Sequence, residues 1–122
     1  MSRARGARGA GGGDPLAALF ALSGALAVIA GAYGAHGASG KAAEWLTTGA
    51  HYAMIHAVAG IVALGRSRWA AALMLAGALV FSGTLYAMAF GAPRWLGMVT
   101  PFGGLALILG WMWLAVVCLR GR

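Results

Sequence analysis

The chain has 122 residues, is 61% hydrophobic and only 9% charged, and carries a formal charge of +7. Soluble domains are about half apolar and a quarter charged, so this balance, with a mean hydropathy of +0.82, excludes an ordinary water-soluble fold. A single cysteine, Cys118, excludes an intrachain disulfide and any metal framework built on cysteines.

Residues 1–13 are rich in Arg, Gly and Ala and cannot build a core, so the sequence predicts a disordered tail there. Four uncharged runs follow, over residues 15–40, 45–65, 69–93 and 95–119, of 26, 21, 25 and 25 residues. A helix needs about 20 apolar residues to cross roughly 30 Å of hydrocarbon, and each run is long enough. Apolar residues occupy consecutive positions rather than alternate ones, which selects helices over a β-barrel. The expected fold is all-α: an integral membrane bundle of four antiparallel helices over about 15–35, 43–64, 69–90 and 100–119.

The charges that remain set the topology. Arg3, Arg5, Arg8, Arg66, Arg68, Arg120 and Arg122 fall on one side of the four runs; Lys41 and Arg94 alone fall on the other. The side richer in Arg is the cytoplasmic one, so both ends and the 65–69 turn are expected inside, with no role in binding nucleic acid. The expected location is the cell (cytoplasmic or inner) membrane, with the lipid bilayer as first partner. A cleaved secretory signal is the minority alternative. Small residues at Ala35, Gly37 and Ala38 would suit it, but the run from Leu16 is about twenty residues against the usual 7–15 or so.

Helix boundaries follow from local chemistry. Asp14-Pro15 supplies an N-cap and a first-turn proline, and Thr100-Pro101 repeats the device. Ser39 is placed to cap the second helix, and the short GRSR turn makes helices two and three antiparallel neighbours. Residues 94–99 are expected at the interface as a loop or short helix, or else as part of one longer helix kinked at Pro101. Tyr33, Trp45, Phe90 and Trp95 fall at the outer boundary, Trp69 and Trp113 towards the inner one. Small residues four apart, Ala27, Gly31 and Ala35 in the first helix and Gly83, Ala87 and Gly91 in the third, predict close helix packing. Cys118, near the inner end of the last span, reads as small apolar filler, with palmitoylation a weaker alternative.

The second helix carries the polar content. At 100° per residue, Glu44, Thr48, His51, Tyr52 and His56 fall within roughly 140° of arc. Polar side chains in a span face the bundle or a wet cavity, which predicts that this stripe points inward to meet Ser82 and Tyr86 of the third helix, with Ser23 of the first also in reach. His56, midway along its helix, is expected to be a neutral ring bonded to a hydroxyl or carbonyl, with Tyr52 or Tyr86 as partner. An interhelical clasp explains it, as does a proton relay or substrate contact. His51 and His56 are five apart, about 140° round the helix, so they do not form a shared metal site, and no cofactor or metal is expected. Lys41 and Glu44 are spaced as an ordinary solvated pair. Nothing resembles a Ser/His/Asp triad, a phosphate loop or a paired-carboxylate site, so no catalytic residue is assigned and an enzyme is not expected.

The stretches GAYGAHG at 31–37, TGAHYAMIHA at 48–57, FSGTLY at 81–86 and WLGMVTPFGGLALILGW at 95–111 together resemble the DUF423 family. These are small UPF0382-type membrane proteins of unknown function, widespread in bacteria and similar to the eukaryotic transmembrane protein 256. The resemblance covers about residues 16–119 and implies a membrane fold, a bacterial source and no known activity. It places His36, Tyr52, His56, Ser82, Tyr86, Thr100 and Pro101 on characteristic positions. Ala53 stands where the family often has Gln, and the Arg/Gly tail lies outside the pattern. With Thr48, the residues His36, Tyr52, His56, Ser82 and Tyr86 make up the candidate functional face. The expected role is that of a non-enzymatic accessory or assembly component, bound to a membrane-protein partner or to copies of itself. The alternative is an oligomeric transporter of a small solute or proton using the face around His56.

Overall fold

The computed structural model describes residues 12–121; the expected tail therefore lies, but for Gly12 and Gly13, outside the described residues. Four helices follow the four apolar runs: α1 (Pro15–His36), α2 (Gly40–Leu64), α3 (Arg68–Ala89) and α4 (Thr100–Leu119). A short 3-10 helix, Arg94–Met98, precedes α4. All four, the last taken together with that 3-10 turn, are long and apolar enough to cross a membrane, and no strand occurs among the described residues. The expected all-α, four-span architecture is the one observed.

Local chemistry accounts for most of the boundaries. Asp14 caps α1: its Oδ1 accepts from the backbone N–H of Leu16 at 3.1 Å and of Ala17 at 3.5 Å. Ser67 caps α3 by accepting from Ala70 N–H at 3.2 Å. Ser39 occupies the N-cap position of α2 but makes no capping bond with its side chain. That helix starts three residues before its expected limit, because Gly40 turns the chain through a φ of +60°, a region glycine enters without steric cost. At Pro101 the chain divides into a 3-10 turn and a separate helix rather than one kinked rod.

Helices pack extensively with their neighbours in sequence, α1 on α2, α2 on α3 and α3 on α4, and α1 touches α3 more lightly. Lipid tails are as apolar as leucine, so association relies on close van der Waals fit rather than on hydrophobic burial. Glycines provide the fit. Gly24 lies against Ala57, Gly31 against Ala50 and Gly34 against Leu46, while the ring of Phe20 occupies the space over Gly60. Between α3 and α4, a Cβ added at Gly77 would come within 2.8 Å of the Gly103 carbonyl oxygen. The expected stripe in α3 is corrected accordingly: Gly83 and Gly91 face open space, and the packing face turns on Gly77 instead. In α1, Ala27 and Gly31 do pack, whereas Ala35 is exposed. In a chain with 21 glycines several stripes have the right spacing, and only the opposing helix selects one.

The two ends of the bundle are closed differently. At the end rich in Arg, Asp14 accepts from Arg68 Nη1 and Nη2, both at 3.2 Å, joining the start of α1 to the start of α3. At the other end the rings of Tyr33 and Phe90 stack with centroids 5.8 Å apart, and Arg94 sits 5.7 Å over the ring of Trp45. Lys41 and Glu44 pair at 3.5 Å on the exposed first turn of α2, as their spacing implies.

The Arg68 guanidinium holds the Asp14 carboxyl below the usual carboxylate range, with the two backbone N–H bonds acting in the same direction and partial desolvation opposing them. A depressed folded pKa stabilises the protein above the unfolded pKa, and that contribution disappears as pH falls through the folded value. Thermal unfolding in detergent should therefore show stability that falls as pH drops below about 4 and on through the lowered folded value. Asp14→Asn should be less stable at neutral pH and flatter over that acid range; an unchanged acid profile in the variant would refute the assignment.

Candidate functional site

The polar residues of α2 do not act as one inward face. Its buried side is made of Leu46, Gly49, Ala50, Ala53, His56, Ala57, Gly60 and Ala63. Thr48, His51 and Tyr52 are exposed on the surface of the bundle, as is Glu44, so the inward stripe expected from the sequence is corrected to one buried residue, His56. The reason is steric: α1 and α3 approach α2 along its small side chains, and that choice turns the bulkier polar ones outward. His36 ends α1 and is also exposed, remote from this cluster.

His56 is 4% exposed, and both of its ring nitrogens are used. Nε2 lies 2.9 Å from Trp111 Nε1 on α4, and Nδ1 lies 2.7 Å from the Tyr52 carbonyl oxygen one turn back on α2. An indole N–H can only donate, so Nε2 must accept; the proton then resides on Nδ1, which donates to the carbonyl. The ring is neutral, with one tautomer selected by geometry. Its partners are a carbonyl, as expected, and an indole that sequence reasoning passed over. Tyr52 participates through its backbone and not its hydroxyl; its ring packs on Phe81 at 4.5 Å between centroids.

Two further polar contacts cross between helices. The Ser82 hydroxyl donates to the Gly49 carbonyl at 2.7 Å, a buried bond linking α3 to α2. The Thr84 and Thr100 hydroxyls are 2.6 Å apart, each also within reach of a carbonyl on its own chain segment, so one donates across and the other back onto the backbone. The Tyr86 ring lies over Gly49, as close as 2.8 Å to where a Cβ would stand, and its buried hydroxyl has no hydrogen-bond partner among the described residues. Of the candidate residues, His56 and Ser82 are therefore buried and bonded, Tyr86 is packed over Gly49, whose carbonyl Ser82 bonds, Tyr52 is exposed but joins His56 through its carbonyl, and His36 and Thr48 lie on the surface. No group of three His, Cys, Asp or Glu side chains suited to a metal ion occurs among the described residues.

A protein-family model described as a protein of unknown function, DUF423, matches residues 30–104. The chain belongs to the DUF423 family. The match runs from the outer part of α1 to the first turn of α4, and so contains His56, Ser82, Thr84 and Thr100 but not Trp111. Curated relatives agree. The chain is 42% identical over 82 residues to a UPF0382 membrane protein of Haemophilus influenzae, covering 62% of this chain and 66% of that one. It is 35% identical over 75 residues to a UPF0382 membrane protein of Schizosaccharomyces pombe, covering 53% and 64%. It is 34% identical over 84 residues to the UPF0382 inner membrane protein YgdD of Escherichia coli K12, covering 62% and 64%. The chain thus spans just under two thirds of the length of these DUF423 relatives, and none of their names states an enzymatic activity. No solved structure matches.

Proposed function

We propose that this multi-pass membrane protein is a non-enzymatic component of the cytoplasmic (inner) membrane, an accessory or assembly partner that works through the faces of its helices. The observation that carries this reading is the state of its interior. Both nitrogens of His56, the Ser82 hydroxyl and the Thr84–Thr100 pair are already engaged by groups of the same chain. Such contacts lock helices together, and none of these groups sets a nucleophile beside a base among the described residues. The connections between helices are short, at 37–39, 65–67 and 90–99, and present no soluble domain to a substrate. The bacterial inner-membrane location is supported by the printed name of the Escherichia coli relative.

Passage of a proton or small solute along Tyr52, His56, Ser82 and Tyr86 receives less support. Tyr52 is on the surface, and the hydrogen bonds of His56 and Ser82 close on backbone and indole rather than on one another. Affinity purification of the full chain in a mild detergent tests the proposal: a different membrane protein should be recovered in a fixed stoichiometric ratio. Recovery of this chain alone, reproducibly and from native membranes, would overturn it.

A further inference from the structure

Two hydroxyls inside the span have no acceptor among the described residues. The Tyr86 hydroxyl is buried without a partner, and Ser23, half-buried on α1, forms no hydrogen bond. A hydroxyl in a helix ordinarily donates back to the carbonyl one turn earlier, as Thr84 does to Val80 at 2.8 Å. Ser23 does not, although it lies eight residues, roughly 12 Å, beyond Pro15 and so within the hydrocarbon. A donor left without an acceptor in an apolar medium is costly.

Both residues border one cleft. It holds about 210 Å³ between α1 and α3, which touch only lightly, with Ala53 of α2 at its base. Ser82 also borders it, but already donates to the Gly49 carbonyl. Past Leu26 and Tyr86 the cleft adjoins an apolar pocket of about 480 Å³, whose outer end is bordered by the stacked rings of Tyr33 and Phe90. Leu22, Leu26, Ile29 and Leu79 are exposed along the rim, so the groove opens sideways to the acyl chains.

We propose that this cleft binds a lipid-soluble quinone, its ring between Ser23 and Tyr86 and its tail in the outer pocket. No charged side chain among the described residues borders either part, so the head that fits is uncharged. Two hydroxyl protons without acceptors call for two acceptor oxygens on one small head, and a quinone ring carries them on opposite sides. A small turn of the Tyr86 ring, which borders both parts, brings its hydroxyl to the ligand. Glycerolipids fit less well. Their ester carbonyls stay hydrated at the interface, above the depth of Ser23, and aromatic rings rather than cations border the outer end where a phosphate would lie.

Titration of decylubiquinone into the full chain in lipid nanodiscs, followed by quenching of tryptophan fluorescence, tests the site. Quenching should saturate. Gly83→Leu should abolish the saturable part: Gly83 borders the cleft, and a Cβ there meets nothing within 4 Å, so the new side chain fills the cleft without disturbing helix packing. Ala32→Leu, in the separate groove between α1 and α2, should bind as the parent does. Tyr86→Phe and Ser23→Ala should each weaken binding about 2- to 12-fold, the range of one neutral hydrogen bond. Without quinone, Tyr86→Phe should melt no lower than the parent, because its hydroxyl bonds to nothing in the protein. A lower melting temperature for that variant, unsaturable quenching of the parent, unchanged binding by Gly83→Leu, or full displacement by an equal concentration of dioleoylglycerol would each overturn the proposal. The accessory role is tested separately, since binding by the purified chain needs no partner.

Discussion

Gly103→Val is expected to prevent α4 from docking on α3, and Gly103→Ala to cost about 2 kcal/mol, in the range seen for overpacked cores. A Cβ at this position would press on the backbone nitrogen of Phe81 and stand 2.8 Å from the Gly77 carbonyl oxygen. Both obstacles are main chain, so no rotamer change relieves them and the two helices must move apart. Separation also opens the contact about two turns further along α4, where Gly110 lies against Met74. In lipid that loss is not offset by a hydrophobic drive to stay together. The control is the next residue. A Cβ at Gly104 would meet only the Phe81 ring, at an ordinary 3.7 Å, so Gly104→Ala should change stability by no more than about 0.5 kcal/mol. Unfolding in mild detergent, followed by tryptophan fluorescence, measures both. Equal effects at 103 and 104 would refute the close crossing.

Trp111→Phe should lower stability by about 1–2 kcal/mol although it keeps an aromatic ring, because it removes the single N–H that satisfies buried His56 Nε2. His56→Leu leaves the indole N–H unpartnered and should cost a similar amount. The double variant should be less damaged than the two losses added together, since neither group then lacks a partner. Nitrogen NMR of labelled histidine gives a second reading: the His56 proton should reside on Nδ1, held by the Tyr52 carbonyl. Strict additivity of the two substitutions, or a proton on Nε2, would remove the clasp from the account. A histidine carrying protons through the bundle would behave differently, since its exchange between tautomers would require both bonds to break in turn.

The architecture was legible because the signals that set it are long. Uncharged runs of more than twenty residues, separated by short charged turns, set the number of helices before any packing is known. Asp14 was legible as a cap for the same reason: capping is a local reaction of one side chain with the next turn. Which side of α2 faces inward was not. The arc holding Thr48, His51, Tyr52 and His56 was visible, and the rule that polar groups avoid lipid pointed it at the core. The rule assumes that one chain must satisfy itself. The opposite side of α2, with Ala50, Ala53, Ala57 and Gly60, had an equal claim through closeness of approach, and closeness won. Trp111 was missed because tryptophans were sought at the interfaces, whereas this one is a donor well along its span; a buried histidine needing both donor and acceptor was the clue that could have singled it out. The pairing of Asp14 with Arg68, 54 residues apart, likewise required the fold.

The extensive interfaces all join helices consecutive in the chain, and this bears on how the protein is made. As each segment leaves the ribosome and enters the bilayer, the surface it must rest on has already arrived, so little entropy is spent on closing large loops. The bond between His56 and Trp111, 55 residues apart, cannot form until the final segment is in place. Biogenesis therefore has a natural last event, after which the imidazole no longer lacks an acceptor's partner. A chain interrupted before α4 would leave His56 Nε2 without its indole donor.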